Sequence, residues 1–265
     1  MVWKIVAFVT LAVVAVGSWV FIFIDRGGGV PADQAGYSAV PASSPSASAT
    51  TPSPSATPTP TPTAAPKITL PKGASAVIVG DSWAAGYAAQ PTSEGFAPLT
   101  ADAMGWDLTN LGVGGTGYVS AGPDNEGTYA ERIADRAVNR TVDLVILQGG
   151  LSDATTADAS GVTAGATKAI SAAKTTWPSA QVVVLGPCPD LLPASKTLKS
   201  VDSQLAAVTS TQRLHYLSCL KEGWINSSNF DEVIDTNSQD HPSTDGHAYL
   251  ATKVEAGLRE FIVTK

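Results

Sequence analysis

The run Ala76-Val77-Ile78-Val79-Gly80-Asp81-Ser82-Trp83 joins a β-branched apolar segment to a glycine, an aspartate and a serine. The first four residues predict a buried strand. The chain then turns through Gly80 and presents Ser82 where a following helix is expected to begin. A serine at a strand-to-helix turn is exposed, rigidly held and close to backbone N–H groups. That is the setting a nucleophilic hydroxyl needs. Asp and Ser are also common helix caps. The tetrapeptide alone therefore fits both readings, and the residues downstream must separate them.

The 265 residues divide by composition. Ile5 to Ile24 is an unbroken apolar stretch flanked by Lys4 and by Asp25-Arg26, long enough for a helix to cross a hydrocarbon core of about 30 Å. Residues 1–26 are therefore read as an N-terminal transmembrane anchor. The competing reading is a signal peptide cut near Ala15-Val16-Gly17, which would leave an apolar new N-terminus, Trp19 to Ile24, on a secreted protein. Residues 27–66 hold nine of the eighteen prolines, many Ser, Thr and Ala, and one charge, Asp33. Such a composition cannot bury a core and predicts an extended, disordered linker. Linkers of this kind hold domains away from the outer face of a membrane. The expected location is thus a single-pass cell membrane protein with its domain on the extracytoplasmic side.

Residues 67–265 are enough for one domain with a sizeable core. The chain carries 16 Lys+Arg against 23 Asp+Glu, a net charge of −7. That balance argues against nucleic acid as a partner. Cys188 and Cys219 show no metal-ligand spacing, so neither a metal nor a cofactor is expected; either a disulfide or two buried thiols would satisfy them.

Strand-like runs at Ala76–Val79, Leu108–Val113, Val142–Leu147, Gln181–Leu185 and Leu214–Leu217 alternate with helical patterns at Gly95–Ala103, Thr128–Asn139, Ala157–Thr176, Ser195–Thr211 and Ser243–Val263. Continuous apolar strands between helices predict an α/β domain: three α/β/α layers on a flavodoxin-like parallel sheet of about five strands. Ligands of such sheets sit beyond the strands' carboxyl ends. Polar, glycine-rich clusters follow three of these strands. They are Gly80-Asp81-Ser82-Trp83, then Asn110-Leu111-Gly112-Val113-Gly114-Gly115-Thr116-Gly117, then Gln148-Gly149-Gly150-Leu151-Ser152-Asp153. The second fails the spacing of a nucleotide loop. Near the end stands Asp240-His241-Pro242, whose proline holds His241 extended ahead of the last helix. His215 and His247 read as structural.

In this order the motifs GDS-x, N-x-G-x-G-G, G-x-x-D and H-P resemble the SGNH, or GDSL, hydrolase family of serine esterases and acyltransferases. The resemblance spans Lys67–Lys265, and no G-x-S-x-G elbow of an α/β-hydrolase is present. It implies that Ser82 is the nucleophile and that His241 is the general base. It further implies an oxyanion hole built from the N–H groups of Ser82 and Gly115. Two positions depart from the family pattern. Ser152 stands where the family has an asparagine as third oxyanion donor, and Ser238 stands where it has the acid. The imidazole then has three candidate partners: Asp240 beside it, Asp235 through a loop, or a backbone carbonyl.

The expected activity is that of an extracytoplasmic serine esterase. It removes short, acetyl-type acyl groups from a carbohydrate, a cell-wall polymer or a lipid through an acyl-serine. An O-acyltransferase variant and a degenerate domain that binds wall glycan are the alternatives. A lipase acting on long chains would need a groove, for which Trp83, Tyr87, Phe96 and Tyr118 are the candidate lining.

Overall fold

The computed structural model describes residues 64–135, 141–155 and 159–265. The apolar stretch Ile5–Ile24, the linker up to residue 63 and the tail of the helix expected over Thr128–Asn139 lie outside the described residues. Among those described, no helix is long and apolar enough to cross a membrane.

In chain order the elements are β1 (Ile68–Leu70), β2 (Ser75–Gly80), α1 (Phe96–Met104), β3 (Asp107–Gly112), α2 (Tyr129–Asp135), β4 (Leu144–Gln148), α3 (Leu151–Thr155), α4 (Val162–Thr176) and β5 (Gln181–Leu185). There follow α5 (Lys196–Gln212), β6 (His215–Leu217), α6 (Cys219–Glu222), α7 (Phe230–Val233), β7 (Ile234–Asp235), β8 (His241–Pro242), α8 (Thr244–Arg259) and β9 (Ile262–Thr264). The five expected strands form one sheet in the order β3-β2-β4-β5-β6, parallel throughout.

Alternate residues of the central strands enter different cores. Ala76 and Ile78 of β2, Leu144 and Ile146 of β4, and Val183 and Leu185 of β5 pack on one face with Phe96, Ala97 and Ala101 of α1 and Leu250, Val254 and Leu258 of α8. Val77 and Val79, Val145 and Leu147, and Val182 and Val184 pack on the other with Ile133 of α2, Ile170 of α4 and Leu205 of α5. Both faces are covered, so the strands need apolar residues at every position rather than every second one. Each of the Val, Leu, Ile and Phe side chains among them contributes about 1.5–3 kcal/mol by leaving water.

The last helix is shorter than the sequence predicts. It ends at Arg259, and Ile262–Thr264 instead pairs in parallel with Ile68–Leu70, aligning the buried Ile68 and Ile262. The two cysteines are joined as a disulfide, Cys188–Cys219, which ties the segment after β5 to the start of α6.

β2 has β3 on one side and β4 on the other, so consecutive connections leave it in opposite directions. This is the topological switch point, where the loops beyond neighbouring strands part and leave a crevice. Ser82 lies two residues past the end of β2.

Candidate active site

The segment after β2 does not enter a helix at once. Residues 82–88 form consecutive turns, and α1 begins only at Phe96. The Asp81 carboxylate accepts from the Trp83 N–H at 3.0 Å, so the capping expected of this motif falls to Asp81. That leaves the Ser82 hydroxyl uncommitted to the turn. Gly112, at the end of β3, is required here because a Cβ on it would lie 2.3 Å from the Ala85 nitrogen. The Asn110 amide donates to the Ala84 carbonyl at 2.7 Å and fastens the same turn to β3.

His241 reaches Ser82 from the far end of the chain. β8 is a two-residue strand whose His241 pairs with Asp235 of β7, and Pro242 is buried. The His241 Nε2 lies 2.7 Å from the Ser82 Oγ. Its Nδ1 lies 3.0 Å from the Ser238 carbonyl and 2.8 Å from the Gln239 carbonyl. Carbonyls only accept, so the proton of the neutral imidazole belongs on Nδ1, assigned from these partners. Nε2 is then left with a lone pair facing the serine hydroxyl.

Neither carboxylate expected from the sequence occupies the Nδ1 position. Gln239 and Asp240 both take a left-handed φ of 55°. The chain thereby curls so that two main-chain carbonyls face the ring, while no hydrogen bond joins Asp240 to His241 among the described residues. Two successive non-glycine residues in that region cost on the order of 1 kcal/mol each or more. The Asp235 carboxylate accepts instead from the Ser238 hydroxyl at 2.6 Å and from the Asn237 N–H at 2.9 Å. These bonds, the Ser238 hydroxyl foremost, lower its pKa. Asp235 thus holds the turn whose carbonyl holds the histidine.

The glycine loop passes beside Ser82: a Cβ on Gly114 would lie 3.7 Å from the Ser82 Cβ. Gly115 has φ +73° and sits against Pro123, so glycine suits it on both counts. Among the described residues, the N–H groups of Ser82 and Gly115 have no acceptor within the protein. Ser152 lies in the first turn of α3, beyond the end of β4. No hydrogen bond links its hydroxyl to Ser82 or His241, and its carbonyl accepts from Thr155. The neighbouring Asp153 is buried and accepts from the N–H groups of Tyr118, Val119 and Ser120 at 2.8–3.1 Å, anchoring the chain just past the glycine loop.

One group at the site, Arg132, had no clear sequence signal. Arg132 of α2 is buried and donates to the Gly80 carbonyl, the Thr116 hydroxyl and the Leu111 carbonyl. One guanidinium therefore clamps the ends of β2 and β3 to the glycine loop. An arginine between Tyr129 and Ile133, on the apolar face of a helix, was the available hint. Asp81 is wholly buried; desolvation raises its carboxyl from 3.8 to about 7, against hydrogen bonds from Trp83 and Gln148. His247, read as structural, accepts from the Phe96 N–H at 3.2 Å and donates to the Tyr87 carbonyl at 2.9 Å. Burial lowers its pKa. Trp83, Phe96 and Tyr118 are core residues at 2–3 % exposure, and Trp83 and Phe96 border only a narrow apolar pocket with Leu185, Cys188 and Trp224; of the four, Tyr87, at 44 %, reaches the surface. Among the described residues no cluster of three or more His, Cys, Asp or Glu side chains gathers as a metal site.

The sequence matches the model of the GDSL-like lipase/acylhydrolase family over residues 78–249, from within β2 into α8. The chain belongs to that family. Its class is accordingly that of a carboxylic ester hydrolase of the GDSL, or SGNH, type. Solved structures share the GDSL fold at low identity. A carbohydrate acetylesterase from Sinorhizobium meliloti is 15% identical with a TM-score of 0.55, covering 71% of this chain and 99% of its own. An aryl esterase from M. smegmatis is 14% identical with a TM-score of 0.54, at 71% and 99% coverage. A family two carbohydrate esterase from Clostridium thermocellum, solved with cellohexaose, is 15% identical with a TM-score of 0.57, at 72% and 65% coverage. No curated protein matches the sequence.

Proposed function

We propose that this chain is a membrane-tethered, extracytoplasmic serine esterase that removes short acyl groups from a carbohydrate. The observation that carries the reading is the 2.7 Å contact between Ser82 Oγ and His241 Nε2, with Nδ1 held by two main-chain carbonyls. In the first step Nε2 takes the Ser82 proton as Oγ attacks the acyl carbon. The unpartnered N–H groups of Ser82 and Gly115 are the donors for the developing oxyanion. The imidazolium then returns its proton to the leaving alkoxide, and the acyl-serine remains. Water, deprotonated by the same Nε2, attacks that ester, and the proton goes back to Ser82.

The Ser238 and Gln239 carbonyls fix the tautomer and orientation that a carboxylate fixes in a triad. They carry dipoles rather than a full charge, so they stabilise the imidazolium less. The intact dyad favours turnover over a purely glycan-binding role. Support for a carbohydrate substrate comes from the carbohydrate esterases that share the fold. The tether and outer location rest on the apolar stretch Ile5–Ile24 and the proline-rich segment after it.

The test is hydrolysis of 4-nitrophenyl acetate by the full chain in mild detergent. Ser82→Ala is expected to lower kcat/KM by at least about 10⁴-fold and to abolish labelling by a fluorophosphonate. Equal rates and equal labelling in both proteins would sink the esterase reading.

A further inference from the structure

The reaction places the leaving alcohol. Its oxygen must lie within hydrogen-bond reach of His241 Nε2, because that nitrogen returns the proton. Whatever the alcohol is, its body lies beside the imidazole.

The group already there is Tyr87. Its ring centroid is 4.4 Å from that of His241, with the two planes inclined at 53°. Trp83, the other aromatic near the imidazole, is 6.5 Å away and buried. The Tyr87 main chain is held at both ends: its N–H donates to the Ser82 carbonyl at 2.9 Å, and its carbonyl accepts from His247. A buried histidine of α8 thus fixes the backbone of an exposed aromatic next to the dyad. The loop after β5 carries the half-buried Asp190, whose carboxyl is raised by desolvation, with smaller opposing effects of Asp240 and His241. Leu191 and Leu192 follow it and are both exposed. Tyr87 is one of four large apolar side chains exposed among the described residues, and of these four it is the one in ring contact with His241.

We propose that Tyr87 is the wall of the leaving-group subsite and that it takes the face of a sugar ring. An aromatic face receives the C–H-rich face of a pyranose with dispersion and little loss of side-chain freedom. The Tyr87 hydroxyl has no protein partner among the described residues and is open to a sugar hydroxyl. The proposal rests on the esterase reading, and its first test compares two esters of one acid. Glucose pentaacetate leaves as a sugar; ethyl acetate leaves as a small alcohol with no ring to stack. Both depend equally on His241, so any disturbance of the imidazole cancels in the ratio of their kcat/KM values.

That ratio is expected to fall about tenfold in Tyr87→Ala and Tyr87→Leu and to stay within about twofold of the parent in Tyr87→Trp, since a stacking contact of this kind is worth about one decade. Because Tyr87 is exposed and its own hydrogen bonds are main-chain, these variants keep the fold. An unchanged ratio in Tyr87→Ala, whatever the absolute rates, overturns the proposal. A second arm separates it from the esterase reading. Binding of glucose pentaacetate to Ser82→Ala protein is followed by saturation-transfer NMR, with and without Tyr87→Ala. Signal lost with the tyrosine supports the wall even if no ester is turned over; signal independent of Tyr87 overturns it.

Discussion

Ser238 occupies the position where the family carries its acid, yet it contributes in another way. Its hydroxyl is spent on Asp235, while its carbonyl faces the Nδ1 of His241. The orienting group is therefore main-chain rather than a side-chain carboxylate. In a triad that depends on a carboxylate, disabling the acid costs on the order of 10⁴ in rate. Here Asp240→Asn and Asp235→Asn are each expected to lower kcat/KM for 4-nitrophenyl acetate by less than about tenfold. A loss near 10⁴ in either would show that a carboxylate, rather than the carbonyls, holds the imidazole during turnover. This part of the site was not legible in the side-chain pattern. A reading of residue types sees a serine where an acid is expected; the left-handed turn at Gln239 and Asp240 exists only in the backbone.

At the scale of elements, the sequence was most informative where burial dictates composition. The three central strands, β2, β4 and β5, follow from apolar runs, because a strand covered on both faces admits little else, whereas the edge strands β3 and β6 are only partly buried and mix polar with apolar residues. The short pair β1 and β9 gave no such signal. Three residues each are too few for a pattern, and Ile262 read as the end of an amphipathic helix. Arg132 escaped notice for the opposite reason: charge on a helix is ordinarily solvated, and only the third dimension shows the acceptors gathered around it. Replacing it by methionine keeps much of the bulk but leaves the Gly80 and Leu111 carbonyls and the Thr116 hydroxyl short of a donor. Arg132→Met is expected to destabilise the protein by about 2–4 kcal/mol in urea unfolding. It should also lower kcat, because the ends of β2 and β3 carry the serine turn and the glycine loop. Gly112→Ala tests the same joint from the backbone side, where the added Cβ has no room against Ala85. Its loss of activity should exceed its loss of stability.

Over the whole molecule, the switch point gathers the functional groups and also concentrates charge that the fold has to bury. Asp81 lies wholly inside, with its carboxyl raised from 3.8 to about 7 by desolvation. Between those values the native protein retains a proton that the unfolded chain has released. Stability therefore falls as pH rises from about 4 to about 7 and is level above that. The displacement corresponds to on the order of 4 kcal/mol. His247 acts in the opposite sense. Burial lowers its pKa below 6.5, so the unfolded chain takes up a proton that the native protein refuses, and stability falls as pH drops below 6.5. The two groups oppose each other across the acid range. Asp81→Asn removes the first contribution and leaves the second. Its Tm, measured relative to the parent protein, is expected to rise between pH 4 and pH 7 and to hold level at higher pH. A Tm difference independent of pH over that range would mean that Asp81 is ionised throughout. The buried carboxylate next to Ser82 would then be held by the hydrogen bonds it accepts from Trp83 and Gln148 against the cost of desolvation.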